Sequence, residues 1–265
     1  MQDLTSLTQA LKDSSLEAIT EQVLAQVKAH PNDLKARDVL FKLYCVNGAW
    51  DMALLQLQTL GLLEEEMQQQ IELYKNLVFS EMQRAQVLTG ERQAATLLGE
   101  CPAWMATLHQ ANVAHYQGDI ALAEKARGEA FDQAPTSGGR SDTLGAFSWI
   151  ADSDGRLGPV CEFISAGGYR WLPFAAIEEL KVSAPEGLLD LLWLPTTVKV
   201  QGERYYGYIP ARYPVSLEDD QQIKLGSKSE WQAVSDMLYL GRGRKVLITD
   251  LSEHSLMETG EIIFE

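Results

Sequence analysis

The sequence has few cysteines, few basic residues and no long apolar run, and each shortage argues against a class of protein. Cys45, Cys101 and Cys161 are odd in number and far apart, so they indicate neither a zinc site nor a disulfide framework. No apolar run reaches the roughly 18 residues of a membrane-spanning helix. The first residues lack the basic and apolar regions of a signal peptide, and we therefore expect a reducing, cytoplasmic location.

Basic residues are outnumbered throughout the chain. There are 22 Lys and Arg against 37 Asp and Glu, a formal net charge of −15. A division at residue 135 gives 10 basic and 18 acidic residues before it and 12 and 19 after it, so the halves carry −8 and −7. Nucleic acids and anionic lipids are bound mainly through Lys and Arg. The charge therefore argues against a nucleic-acid or membrane partner.

The two halves nevertheless differ in composition. Residues 1–135 contain 6 of the 20 glycines and 8 of the 22 aromatic residues (6 Trp, 9 Tyr and 7 Phe), and the remaining 130 residues contain 14 of each. Low glycine content favours helices, whereas glycine and aromatic residues favour turns and strands. We predict an α+β protein: a TPR-like all-helical domain of hairpin repeats at 1–135, a linker at 136–141, and an antiparallel β-rich domain with one or two short helices at 142–265.

Apolar residues recur at helical spacing from residue 16 to residue 88, with turn residues between the stripes. In the last predicted hairpin, Gly118, Ala123, Ala130 and Pro135 have the spacing of a tetratricopeptide repeat, in which small side chains let two helices pack closely. An earlier hairpin matches that spacing only in part. Such a stack either binds a partner's helix or peptide, which we favour, or only stabilises the second half.

Short aromatic and β-branched runs in the second half predict strands. The turn at 201–203 predicts a hairpin, and Pro173 predicts that its strand lies at the edge of a sheet. Residues 229–238 are compatible with a short helix.

The sequence gives no candidate for catalysis or for metal binding. Asp152 and Asp154 precede Gly155 as in a calcium loop, but that register places Ile150 and Cys161 where carboxylates are required. A turn is the better interpretation. The four histidines have no metal-binding or catalytic spacing. We expect no catalytic, metal-binding or cofactor-binding residue, and no cofactor.

Two arginines of the second half are conspicuous in an acidic chain. Arg156 and Arg212 accompany rings that, at strand spacing, usually belong to a core. Two interpretations stay open for them. They form buried ion pairs with Asp152 or Asp154, which we favour, or they contact a partner.

Five segments of the second half also carry a family resemblance. They are Phe-Ser-Trp-Ile-Ala-Asp-Ser-Asp-Gly-Arg-Leu-Gly-Pro-Val at 147–160, Tyr-Arg-Trp-Leu-Pro-Phe at 169–174, Asp-Leu-Leu-Trp-Leu-Pro at 190–195, Ile-Pro-Ala-Arg-Tyr-Pro at 209–214 and Lys-Ser-Glu-Trp at 228–231. With residues 37–50 of the first half, they resemble the ImpE family, also called SciE or TagJ. The resemblance covers most of residues 30–250, whereas the tail 251–265 matches no motif.

The resemblance implies a non-enzymatic, cytoplasmic adaptor of a bacterial type VI secretion system. Such an adaptor contacts the small sheath subunit and is linked to the ClpV ATPase, which recycles contracted sheath. Two other hypotheses stay open: a small-molecule-binding or enzymatic second domain, and a purely structural scaffold. The residues implied to be structural or partner-binding, called the motif residues below, are Trp50, Trp149, Asp152, Asp154, Arg156, Gly158, Pro159, Tyr169, Trp171, Pro173, Trp193, Pro195, Arg212, Tyr213, Pro214, Glu230 and Trp231.

Overall fold

The computed structural model describes residues 9–11 and 13–265, and its first half is helical. The helices are α1 (Leu16–Ala29), α2 (Leu34–Asn47), α3 (Trp50–Leu63), α4 (Gln68–Leu88), α5 (Ala103–Tyr116) and α6 (Ile120–Gln133). Consecutive helices pack on one another from α1 to α4, and α5 packs on α6. No helix of the described residues is long and apolar enough to cross a membrane.

Capping residues and small residues explain how these helices begin, end and pack. The side chain of Ser15 accepts a hydrogen bond from the Ala18 amide and starts α1. Gly48 ends α2 in the left-handed region, with φ +72°, which an L side chain rarely adopts. Ala123 and Ala130 of α6 are buried. The short side chains at these two positions are those that the repeat spacing predicts will let α5 and α6 approach.

The second half consists of strands with short helical turns between them. The strands are β1 (Gly139–Ser141), β2 (Gly145–Phe147), β3 (Ile150–Asp152), β4 (Val160–Ser165), β5 (Gly168–Pro173), β6 (Glu179–Val182), β7 (Trp193–Val200), β8 (Glu203–Pro210), β9 (Ser229–Ala233), β10 (Tyr239–Gly243), β11 (Val246–Thr249), β12 (Glu253–Ser255) and β13 (Glu261–Phe264). A one-turn helix, α7 (Gln221–Lys224), precedes β9. The predicted α+β class is confirmed.

The strands form three antiparallel sheets. The largest has the order β2-β1-β13-β6-β7-β8-β4-β5, a second pairs β9 with β10, and a third has the order β12-β11-β3. The predicted hairpin joins β7 to β8 through Gln201 and Gly202, both with positive φ. Pro173 lies in β5 at the edge of the large sheet, as its missing amide hydrogen predicts. Pro195 lies in an interior strand, where its carbonyl accepts from the Ser183 amide at 2.9 Å.

The short helix predicted at 229–238 is wrong. Residues Ser229–Ala233 form β9 and pair in register with Tyr239–Gly243. The ring of Trp231 packs against the ring of Tyr213 with 5.5 Å between centroids. The partner strand β10 and Tyr213 both lie outside the segment 229–238, so the pattern of that segment alone does not contain these contacts.

Two other segments take a place in the large sheet. The predicted linker 136–141 includes β1, so its second half is not a connector but a strand between β2 and β13. The tail 251–265, which matches no motif, contains β12 and β13, and β13 lies inside the sheet between β1 and β6. Strand β13 therefore joins the β1–β2 pair to the rest of the sheet.

The helices and the sheet share a hydrophobic core. One cluster joins Leu40 and Phe41 of α2 to Trp171 of β5 and Trp193 of β7, all almost fully buried. A second cluster lies within the β-rich half and includes Phe163 of β4. Because the first cluster crosses the predicted domain boundary, each half covers apolar surface of the other.

We expect the helical half to lose most of its stability when it is separated from the sheet. A fragment of residues 1–138 would expose the apolar faces that Trp171 and Trp193 cover. Its free energy of unfolding should fall by more than about 5 kcal/mol, the scale of a whole domain's stability. Urea unfolding followed by circular dichroism measures this, with the full chain as reference. A fragment that unfolds cooperatively at the midpoint of the full chain would contradict the shared core.

Candidate functional site

The side chain of Glu162 lies at the centre of the junction between helices and sheet. Arg84 of α4 donates to both of its carboxylate oxygens, from Nε at 2.6 Å and from Nη2 at 2.8 Å. Lys245, at the start of β11, pairs with it at 2.6 Å, and the Tyr169 hydroxyl donates to it at 2.5 Å. The indole of Trp171 donates to the Tyr169 oxygen at 2.8 Å. One carboxylate thus binds groups from α4, β5 and β11.

Asp152, at the end of β3, extends this network from Lys245 to Tyr213. Its carboxylate forms an ion pair with Lys245 and accepts a hydrogen bond from the Tyr213 hydroxyl at 2.9 Å. The Lys245 ammonium also lies 4.7 Å from the centre of the Tyr213 ring, which adds a cation–π contact. The predicted buried pairing of Asp152 is therefore with a lysine and a tyrosine, and neither predicted arginine reaches it.

Glu81 extends the network on the helical side. Its carboxylate pairs with Arg84 one turn further along α4 at 3.2 Å and accepts from the Trp193 indole at 3.0 Å. The Trp193 ring in turn packs on Trp50 of α3, with centroids 6.0 Å apart. These contacts explain why Trp50 and Trp193 stand among the motif residues: they join the helices to β7.

Burial and charge act in opposite directions on these groups. Burial alone would raise the pKa of Glu162, but Arg84 and Lys245 outweigh it and hold that pKa well below its ordinary value. Burial would lower the pKa of Lys245, yet its two carboxylate partners raise it. For Asp152 burial dominates and raises the pKa, against the attraction of Lys245. Glu162 is thus held as a carboxylate by the two cations.

Asp154 and Arg156 form an ion pair inside the turn that follows β3. The Arg156 guanidinium donates from Nη2 at 2.6 Å and from Nε at 2.9 Å, and the Gly241 amide of β10 donates to the same carboxylate at 2.9 Å. From the helical half, Asn112 donates to the Arg156 carbonyl at 3.1 Å and Arg127 to the Gly155 carbonyl at 2.8 Å. The favoured ion pairing is found for Arg156, and the predicted turn joins α5 and α6 to β10.

Arg212 does not form the ion pair predicted for it. It donates to the carbonyl oxygens of Cys45 at 2.8 Å and Val46 at 2.7 Å, in the last turn of α2, and to the Lys224 carbonyl. Burial lowers the pKa of Arg212 to about 10. A cation that caps the unpaired carbonyls of a helix end is favoured by the helix dipole. Arg212 therefore fixes the end of α2 to the strand half without a carboxylate.

An open pocket of about 610 Å³, called the aromatic pocket below, lies beside this network. It is lined by Phe131, Trp149, Ala151, Asp152, Ser153, Gly155, Gly158, Pro159, Trp231, Met237, Tyr239, Ile248 and Glu253. Trp149, Trp231, Met237 and Tyr239 are 37% to 48% exposed. The pocket therefore presents four large side chains to solvent, two of which are motif residues.

Gly158 allows the two halves to meet at one wall of the aromatic pocket. Its φ is +51°, and a Cβ at this position would lie 2.6 Å from the ring of Phe131 in α6. The next residue, Pro159, lines the pocket, and its carbonyl accepts from the Phe174 amide at 3.0 Å. A side chain at residue 158 would push the helix away from the pocket.

The last two motif residues, Pro214 and Glu230, are neighbours in the chain of Tyr213 and Trp231. Glu230 pairs with Lys228 at 2.6 Å on the exposed side of β9, and Pro214 is half-buried after Tyr213. Within residues 9–11 and 13–265, no group of three or more His, Cys, Asp or Glu side chains is arranged to hold a metal ion. The Asp152 and Asp154 carboxylates instead bind amide, ammonium, guanidinium and hydroxyl groups of the chain.

Four residues of the network are absent from the motif residues that the sequence analysis identified. Glu81 and Arg84 continue the buried stripe of α4 that includes Leu77 and Leu88, and Glu162 and Lys245 lie in or beside apolar strands. A charge at a position whose spacing requires an apolar residue is a usable signal, because an isolated buried charge is costly. Two such charges of opposite sign, Arg84 on α4 and Glu162 on β4, would have indicated the ion pair between them.

We expect Glu162→Gln to destabilise the protein by about 3–5 kcal/mol at pH 7, because it leaves two buried cations without their shared carboxylate. The pKa of Glu162 is lowered on folding, so its contribution is fully present above its ordinary pKa of 4.5 and is lost as the pH falls. The difference from the wild type should therefore narrow at pH 3. Urea unfolding at both pH values measures it.

Glu258→Gln is the matched control, because it removes the same charge from an exposed side chain of the same half. Its free energy of unfolding should stay within about 0.5 kcal/mol of the wild type. A cost for Glu162→Gln below about 1 kcal/mol at pH 7, or one that is equal at both pH values, would contradict the role given to the network.

Comparison with known proteins identifies relatives over most of the chain. Residues 145–263 match the family model described as ImpE protein. The chain is 36% identical over 255 residues to a Pseudomonas aeruginosa protein named type VI secretion system accessory component TagJ, with 96% of this chain and 87% of that protein covered.

A solved structure shows the same fold over nearly the whole chain. The crystal structure of protein VPA1032 from Vibrio parahaemolyticus superposes with a TM-score of 0.88 at 24% identity, covering 97% of each chain. At this identity the likeness concerns the fold alone. With the family match over the β-rich half and the TagJ relative over almost the whole length, the chain belongs to the ImpE family, also called SciE or TagJ.

Proposed function

We propose that this protein is an accessory component of a bacterial type VI secretion system, acting in the cytoplasm as an adaptor that binds the small sheath subunit. The relative from Pseudomonas aeruginosa bears the name of such an accessory component. The link to the sheath and to the ClpV ATPase rests on the family resemblance. The observation that supports the binding role is the aromatic pocket, in which the motif residues Trp149 and Trp231 are exposed to solvent.

The division of labour among the motif residues supports an adaptor. The buried or half-buried charged ones, Asp152, Asp154, Arg156 and Arg212, form their hydrogen bonds within the chain. The exposed ones are Glu230 and two tryptophans, Trp149 and Trp231, and both tryptophans line the aromatic pocket. Exposed clusters of such side chains are typical of protein-binding sites, where Trp and Tyr contribute most of the affinity. This arrangement favours binding over catalysis.

The shape of the aromatic pocket suits the apolar face of a helix. Phe131 of α6 forms one wall, and Trp149 and Trp231 come from the strand half. A helix places side chains three and four residues apart on one face, and a groove of this kind accepts two or three of them. We propose that a helix of the small sheath subunit occupies the pocket, and that the adaptor acts without catalysing a reaction.

A small apolar ligand is the second candidate occupant. The volume of about 610 Å³ lies within the roughly 300–1,000 Å³ of small-molecule sites. Such sites also place several free polar groups around the ligand. Asp152, the buried carboxylate of the lining, is already paired with Lys245 and Tyr213 and is therefore not free to bind such a ligand, which favours the helix.

We expect Trp149→Ser/Met237→Ser to weaken binding of the purified small sheath subunit at least about tenfold in titration calorimetry, because two side chains of the pocket are lost. Both are partly exposed, so the fold should be retained. The matched control is Leu55→Ser/Leu62→Ser, which removes two exposed apolar side chains from α3. Its affinity should stay within about twofold of the wild type.

The two variants separate the possible outcomes. No binding of the wild type at tens of micromolar would refute the sheath-binding proposal. Loss of binding only in the α3 variant would place the site on the helical half, as a repeat-stack groove predicts. If both variants bind the sheath subunit as tightly as the wild type, the aromatic pocket is not its binding site.

A further inference from the structure

A second groove lies on another part of the junction, away from the residues of the aromatic pocket. It has a volume of about 510 Å³ and is formed by the start of α1, the turn between α2 and α3, the loop 217–220 and the following helix α7. Its apolar part includes Tyr44, Ala49 and the highly exposed Leu217. We call it the acidic groove, because its lining includes Glu17, Glu21, Glu218, Asp219 and Asp220.

The rim of the acidic groove retains negative charge. Asp219 pairs with Arg242 and Asp220 with Lys228, but Glu17, Glu21 and Glu218 are exposed and form no ion pair in the part of the chain that the structure describes. The lining contains one cation, Lys224.

That cation, Lys224, is hydrogen-bonded to the backbone of the groove itself. Its ammonium donates to the carbonyl of Leu217 at 2.7 Å, within the loop that forms the groove. It therefore holds the loop and cancels only part of the charge on the rim. The groove thus combines an apolar floor with an excess of negative charge, and the complementary ligand is apolar on one face and basic at its margins.

The acidic groove is held in place by contacts between the two halves. The Leu16 amide at the start of α1 donates to the Gln221 side chain at 3.2 Å, and Gly48 lies close to Val215. Arg212 fixes the end of α2 beside it. A groove whose walls are already fixed loses little conformational entropy when a ligand binds.

We propose that the acidic groove binds a basic, amphipathic helical segment of a second protein partner, which makes the chain an adaptor with two docking surfaces. Apolar side chains of that segment contact Tyr44 and Leu217, and its Lys or Arg side chains contact Glu17, Glu21 and Glu218. A phosphate-bearing ligand is repelled by the same rim. This surface shares no lining residue with the aromatic pocket, so the proposal stands independently of sheath binding.

The test uses the full-length protein and a short synthetic helical peptide of leucine and lysine with a fluorescent label, measured by anisotropy. Glu21→Lys/Glu218→Lys should weaken peptide binding at least about tenfold, since it replaces attraction with repulsion at the groove. The matched variant Glu91→Lys/Glu100→Lys makes the same change of charge at two exposed carboxylates in the loop between α4 and α5. Its affinity should change less than about threefold.

A second pair of variants tests the apolar part. Leu217→Ser should weaken peptide binding, whereas Leu251→Ser, which removes an equally exposed leucine elsewhere, should leave it unchanged. If both charge variants lose the same affinity for the peptide, the peptide is attracted only by the overall charge of −15, and the proposal is overturned. Loss of peptide binding in Trp149→Ser/Met237→Ser would also overturn it, by assigning the peptide to the aromatic pocket. Thermal unfolding by circular dichroism confirms that each variant is folded.

Discussion

The placement of the helices on the sheet depends on one buried carboxylate, that of Glu162. Arg84 reaches it from α4, Lys245 from the start of β11 and Tyr169 from the neighbouring strand β5. Taking three charged groups out of water costs several kcal/mol each, and only well-placed partners offset that cost. Lys245 and Tyr169 belong to the same half as Glu162, whereas Arg84 comes from the helices and reaches both carboxylate oxygens in one relative position of the two halves. A small displacement would leave a buried charge unpaired, so the network selects that position.

The sequence predicts this fold where the determining interactions are local. Helix periods, the 201–203 hairpin and the edge position of Pro173 follow from neighbours in the chain or from a missing amide hydrogen. The segment 229–238 follows no such rule. Its strand pairs with β10, which follows after the turn 234–238, and packs on Tyr213, and both partners lie outside the segment whose pattern predicted a helix.

The contacts of the candidate site were likewise predictable only where the two partners are close in the sequence. Asp154 and Arg156 are two residues apart, so a turn with an internal ion pair could be anticipated. The true partner of Asp152 is Lys245, 93 residues further along the chain, and Glu162 meets Arg84 across 78 residues. Arg212 shows why composition fails here: a buried guanidinium can be satisfied by helix-end carbonyls, so a nearby carboxylate in the sequence is no guide to its partner.

Both open surfaces of the molecule are consequences of this junction. Phe131 from the helices and Trp149 from the strands can form one pocket only while the turn after β3 stays bonded to α5 and α6. The acidic groove likewise needs the end of α2 to stay beside the loop before α7. An apolar junction of equal area would tolerate sliding and repacking, since hydrophobic contacts are not directional. Ion pairs and indole or guanidinium hydrogen bonds are directional, so a buried polar network is a physical reason for the two proposed docking surfaces to keep a fixed geometry in an otherwise ordinary α+β fold.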